Sequence, residues 1–299
     1  FENNGDVNSI GTTNGSISLH GSDGTGNAIE HVGVLNDGGD VSIYSNTGSI
    51  NISGTGDTAT YGFKVDGHTN VGRDGSTSVT SGDITINVDN LSVTTANGLD
   101  VNTSGSFILK PFSDDFSSTI TYPITNLSLS STVSSLTIGN SETSADGTSD
   151  ADITIGSSTA IEGPITVYGG DISINDNLNT TTGGAAGDIL LKGSGDISLA
   201  ASKSITTDGG DLIFWANSDG ETSNGSVFLR DGSSITTSGG HIWAGGGSTS
   251  VTWNDLTVGD GYAVAGTWVT PSNGGSNFTS GIFIEKSTIT TNGGEIELK

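Results

Sequence analysis

The side chains best equipped for chemistry are few. Asp146, Asp150 and Asp152 share one short loop, Asp146-Gly-Thr-Ser-Asp150-Ala-Asp152, and offer the hard oxygen ligands that Ca²⁺ prefers. Their spacing matches neither the EF-hand loop nor a Gly-rich nonapeptide array. Ca²⁺ is therefore the one cofactor the sequence suggests, and a solvated acidic loop is the competing reading. Two carboxylate pairs, Asp114/Asp115 and Asp208/Asp211, have the composition that glycoside hydrolysis needs on either side of a bond. Asp recurs throughout as a turn residue, however, so each pair reads first as structural. His20, His31, His68 and His241 show no metal-ligand spacing, and the absence of Cys removes thiolate nucleophiles and disulfides together.

Aromatic residues are the next candidates. Trp253, Tyr262, Trp268 and Phe278 fall within residues 246–280, and Ile213, Phe228, Trp243 and Phe283 occupy the outward middle position of nearby strands, which predicts a column of outward apolar side chains up one face. One reading has the 246–280 segment fold back over these apolar side chains and build a small second core. The functional reading makes Phe228, Trp243, Trp253, Trp268 and Phe283 a platform that stacks on sugar rings or on a partner protein. Contact with a neighbouring domain is a third.

Charge narrows the field. The chain of 299 residues carries a net charge of −25 with only eight Lys and Arg. Nucleic-acid affinity comes largely from Lys and Arg neutralising phosphates, so DNA and RNA are not expected as partners, nor are anionic membrane surfaces. No apolar run approaches the length of about 18 residues that a membrane span needs. The eight cations are scattered, which leaves no base inside a carboxylate cluster for lyase chemistry. An enzyme is not expected. A polysaccharide lyase or glycoside hydrolase is the alternative class.

The elements that must position these residues are strands. Ile and Val together number 45 against 16 Leu, and branching at Cβ suits a pleated surface better than a helix. The 48 Gly would weaken any helix they entered. One phrase recurs: Gly, a polar residue that is usually Asp, then apolar–x–apolar. Examples are Gly82-Asp-Ile-Thr-Ile86, Gly170-Asp-Ile-Ser-Ile174, Gly195-Asp-Ile-Ser-Leu199 and Gly240-His-Ile-Trp-Ala244. Ile197, Leu212, Val227 and Ile242 follow one another at equal intervals. A second phrase, Ser/Thr-Ile-Thr-Thr-x-Gly-Gly, starts at Ser204, Ser234 and Thr288. These spacings predict a repeat of about 30 residues holding two Gly-Asp strands, with an insertion between Gly245 and Gly281.

Period-two alternation puts both apolar side chains on one face. Gly before the strand admits the positive φ of a sharp corner, and Asp accepts the corner's backbone N–H groups. Strand and corner in fixed alternation describe a coil, and stacked coils form an all-β, single-stranded parallel β-helix. At about 22–30 residues per coil, the chain makes roughly 10–14 coils, a rod of about 50–65 Å at the usual strand spacing. Residues 1–299 are read as one continuous solenoid segment, with irregular or inserted regions at 111–164 and 246–280. A chain that starts at Phe1, contains no Met and stops one strand into a repeat is expected to be a piece of a larger protein.

The Gly-Gly-Asp-Ile-Ser-Ile and Ser-Ile-Thr-Thr-x-Gly-Gly phrases resemble the repeats of filamentous-haemagglutinin-like bacterial surface proteins. The likeness is good over 165–245 and 281–299 and looser over 1–110. It implies a right-handed β-helix exported to the cell surface and used in adhesion or biofilm formation. The Asn-Pro-Asn motifs of that family's secretion domain are absent, and no family active site carries over, because the resemblance is to repeats. The expected role is an extracellular, cell-surface adhesin segment or rigid stalk. Its expected partners are a host or neighbouring-cell glycan or protein, and further repeats of the same parent chain.

Overall fold

A computed structural model describes residues 8–22, 32–56, 60–73, 78–141, 150–180, 187–221 and 224–299. Every regular element among them is a strand. The chain divides into two units, Phe1–Ser118 with Pro123–Gly139, and Thr119–Tyr122 with Asn140–Lys299. In both, strands pair in parallel with strands one coil away, which is the topology of a parallel β-helix.

In the first unit, one sheet stacks Asn8–Thr12, Asp40–Ser45, His68–Val71, Leu99–Val101 and Leu127–Leu129. A second stacks Ile17–Gly21, Ile50–Gly54, Ile84–Val88, Ser106–Lys110 and Ser135–Ile138. A third, shorter sheet holds Val32–Asn36, Tyr61–Val65 and Leu91–Val93. Registers are flush, so Ile50, Ile84, Phe107 and Leu136 line up in one fully buried file, and Ile52, Ile86, Leu109 and Ile138 in the next. Each such side chain contributes about 1.5–3 kcal/mol through burial.

The second unit also has three faces. Ile120–Tyr122, Ile153–Ile155, Ile172–Ile174, Ile197–Leu199, Val227–Leu229 and Ile282–Ile284 form one. Thr159–Ala160, Leu178–Asn179, Ser204–Thr206, Ser234–Thr236 and Thr288–Thr290 form another. The last holds Ile165–Gly169, Ile189–Gly193, Leu212–Trp215, Ile242–Trp253 and Ile296–Leu298. The three Ser/Thr-Ile-Thr phrases therefore stack directly, although the 246–280 excursion separates the last two in sequence. Coil length is not constant. The step from Ile153 to Ile172 is shorter than the repeat predicts, and the step from Ile50 to Ile84 is longer.

The corner phrase works by coil-to-coil contact. Corner Asp residues extend their carboxylates to the backbone N–H of the equivalent residue one coil on. Asp171 N–H donates to Asp152 Oδ1 at 2.9 Å, Asp196 N–H to Asp171 Oδ1 at 2.7 Å, and Ser226 N–H to Asp196 Oδ1 at 2.7 Å. A parallel file runs from Asp211 N–H to Asp188 Oδ1 at 2.9 Å and from His241 N–H to Asp211 Oδ1 at 2.6 Å. The fourth residue of the second phrase closes its own turn: the Thr207, Thr237 and Thr291 hydroxyls donate to the carbonyls of Gly210, Gly240 and Gly294.

Glycine divides its labour in a way that the φ argument alone does not anticipate. In Gly209-Gly210 the first residue carries the positive φ, +87°, while the second is needed for space. A Cβ on Gly210 would lie 1.8 Å from the Gly187 carbonyl oxygen of the adjacent coil, and the same pattern recurs at Gly239-Gly240.

Candidate functional site

The outward apolar side chains do not form a single file. Two Gly-Asp strands per coil place them on two different sheets. Ile213 pairs with Trp243 on one, and Phe228 pairs with Ser198 below and Phe283 above on the other. Successive Gly-Asp strands visit the two faces in turn, so a file read from strand to strand in sequence merges two columns.

On the first face, the strand Ile242–Trp253 continues beyond the sheet and turns back antiparallel as Leu256–Gly261. Asn254 and Asp255 make the two-residue tip, with φ of +45° and +63°, as a primed hairpin turn requires. The returning strand lays Val258 over Ile213, Trp215 and Trp243, and all four are buried, with Leu190, Trp253 and Leu256 packed around them. Trp215 and Trp243 meet edge to face at 6.4 Å. The Trp215 Nε1–H donates to the Gly247 carbonyl at 2.7 Å, and the Lys192 ammonium sits 4.4 Å from the Trp215 ring centre. The inserted segment thus folds back into a second core here. Trp243, fully buried, is in its centre and is not a platform. Trp215 and Lys192 escaped sequence reading, although period two from Ile213 places Trp215 on the same outward face.

On the second face, Phe228 is also buried, beneath the Arg230 guanidinium, 4.8 Å from its ring centre, and is likewise no platform. Phe283 is half-buried and meets Phe278 edge to face at 5.0 Å. Of the five ring residues singled out from sequence, Trp268 alone is largely exposed, at 70%, and Tyr262 matches it at 70%. Trp253 is half-buried, edge-on to the His241 ring at 5.7 Å.

The segment around Trp268 is tied down on both sides. Val264 N–H donates to the Gly225 carbonyl at 2.9 Å, and Ser226 Oγ donates back to the Val264 carbonyl at 3.1 Å. Val269 and Phe278 exchange both backbone hydrogen bonds, at 2.8 and 3.1 Å. Beyond them, the Ser272 N–H and hydroxyl both donate to Glu285 Oε1, and the Lys286 ammonium reaches Asp231 at 3.2 Å. Asp231 is held below the usual carboxylate range by its neighbours Ser272 and Lys286.

The acidic candidates resolve differently. Asp146 lies outside the described residues, and Asp150 opens the next described stretch. Asp152 is occupied as a corner staple, accepting the Asp171 N–H. Asp211 of the pair Asp208/Asp211 is the staple for His241. Asp115 Oδ1 accepts the Phe116 N–H at 2.8 Å. Among the described residues, no group of three or more His, Asp or Glu is arranged to hold a metal ion. Asp171 is pushed upward, mainly by burial and further by the charges of Asp196 and Asp152, against the lowering effect of its bond from Asp196 N–H.

The histidines are similarly employed. The His20 ring shares a hydrogen bond with the Ser53 hydroxyl at 2.9 Å. His68 lies between Asp100, at 3.0 Å, and Asp40, at 3.8 Å. His31 lies outside the described residues. No protein-family model matches the chain, and no curated protein or solved structure matches it.

Proposed function

We propose that this chain is a segment of an extracellular bacterial surface protein, a stiff β-solenoid acting in adhesion, with the 246–280 excursion as its contact face. The observation that carries the reading is the pair of rings, Trp268 and Tyr262, each 70% exposed on a segment whose backbone is anchored to the coils. An aromatic ring held open to solvent on an ordered backbone loses little conformational entropy on binding and offers a flat apolar face. Such a face stacks on the C–H side of a sugar ring, so a surface glycan is the partner class. The coils themselves would be stalk: parallel ladders, buried Ile files and carboxylate staples make a stiff spacer. The corner carboxylates are spent on backbone N–H groups, which supports an architectural rather than a catalytic role for them.

The test is binding of the full chain to a broad glycan array, with and without Ca²⁺, beside Trp268→Ala and Tyr262→Ala. Binding that falls at least about tenfold in Trp268→Ala, about 1.4 kcal/mol and within the range of an aromatic hot spot, supports the contact face. Binding that survives both substitutions, or no binding under either condition, overturns it and leaves the segment as stalk.

A further inference from the structure

One corner of the second unit departs from the carboxylate staple. Along Asp188, Asp211, His241 and Glu295, the first two residues present Oδ1 to the next coil. At the third, the acceptor is an imidazole nitrogen: the Glu295 N–H donates to His241 Nδ1 at 3.0 Å. A backbone amide can only donate, so Nδ1 is the unprotonated nitrogen and the ring proton sits on Nε2. The hairpin tip converges on the same point. The Asn254 amide nitrogen lies 3.3 Å from Nδ1 and donates to Glu295 Oε2 at 2.8 Å, while Trp253 packs edge-on against the imidazole.

From this geometry we infer that His241 is a proton-operated latch for the coil Glu295–Lys299 and for the hairpin tip Asn254-Asp255. Protonation places a hydrogen on Nδ1 and turns the acceptor into a donor facing a donor. The Glu295 N–H then has no partner, and the strand Ile296–Leu298 enters its flush register with Ile242–Ala244 held at that end only by the Ile242 N–H, which donates to the Glu295 carbonyl at 2.9 Å. The Asp188 and Asp211 staples of this file do not change in this way, because carboxylates remain acceptors throughout the range in which histidine titrates, about pH 5 to 8. The charged groups facing His241 are Asp211 from the coil below and Glu295 from the coil above; Asp255 follows Asn254 in the hairpin tip. The Glu295 carboxylate is bonded to the Asn254 amide at 2.8 Å, and an imidazolium would have to draw it away to form an exposed ion contact. That contact is weak in water and does not hold the backbone in register.

The test is amide hydrogen exchange of the full chain at about pH 8 and about pH 5.5, corrected for intrinsic exchange. Both values lie above the ordinary range of Asp and Glu, about 3.9 to 4.3. Protection of the Glu295 amide is expected to fall about fivefold at the lower pH, the factor that one lost hydrogen bond corresponds to. It should recover when the pH is raised, and amides of Ile189–Leu191 should not respond. In His241→Asp, which restores the acceptor found at Asp211, protection should be the same at both values. His241→Asn, an acceptor that carries no charge, serves as a second variant. Unchanged protection in the native chain, or an equal fall in His241→Asp and His241→Asn, overturns the latch. The readout involves no ligand and stands apart from the adhesive reading.

Discussion

The Asp171 carboxylate accepts the backbone N–H of Asp196 at 2.7 Å, one coil further along the solenoid. Asp196 does the same for Gly225 and Ser226 at 3.1 and 2.7 Å. A residue type that a sequence search for catalysis would collect thus serves as the seam between coils.

Asp196→Ala is expected to cost about 2–3 kcal/mol, since it strands two N–H donors in a buried corner where water cannot replace the carboxylate. Asp196→Asn keeps an acceptor and should cost less. Urea unfolding of the two variants checks the order, and equal losses would show that the staple carries no specific energy.

Acid has opposite effects on different carboxylates. Asp171 is raised by burial, so its charged form is penalised in the folded state and its contribution grows more favourable as pH falls through its folded value. Asp66 is pushed upward by burial, but hydrogen bonds from the Thr94 hydroxyl and Lys64, together with the Lys64 charge, outweigh that and lower it. Its contribution is present above the unfolded value, about 3.9, and is lost as pH falls through its folded value. Between about pH 7 and pH 4, the native chain should therefore gain stability relative to Asp171→Asn. Denaturant titrations across that interval measure the difference, and a native chain that loses ground to Asp171→Asn would refute the assignment.

Gly209→Ala and Gly210→Ala separate the two uses of glycine. At Gly209 a side chain has open space but a φ of +87°, a penalty of about 1 kcal/mol. At Gly210 a Cβ would lie 1.8 Å from the Gly187 carbonyl, so the coils must separate. The second substitution should be the more damaging by thermal melting, and equal effects would show that φ alone explains both.

Trp243→Ala should cost about 3–5 kcal/mol as a large buried deletion. Trp268→Ala should stay within about 0.5 kcal/mol, as an exposed substitution does. Melting curves of both decide which tryptophan can be removed in a binding experiment without disturbing the fold. A large loss at Trp268 would place it in the core instead.

Much of this architecture is legible in the chain itself, because it rests on local rules. The apolar–x–apolar phrase sets which side of a strand Ile172 and Ile174 face, whatever surrounds them. The Gly-Asp prefix marks each corner, and the interval from Ile197 to Val227 is one coil. The physics repeats with the sequence, so a short window carries it.

What the tertiary structure alone decided lies where distant segments meet. That residues 246–280 fold back over Trp243 is a reading the sequence already offers, but nothing near Trp243 says that Val258, on a strand that turns back after Asn254-Asp255, is the residue that covers it. The same holds for Phe228 and Trp243, which share a spacing but not a sheet, because each coil carries two Gly-Asp strands and they stack on separate faces. His241 occupies an Asp position in the repeat, and only the stacking of Glu295 above it and of Asn254 beside it turns that substitution into a nitrogen acceptor. Periodicity encodes which way a side chain points; burial and hydrogen bonding depend on what arrives from elsewhere in the chain.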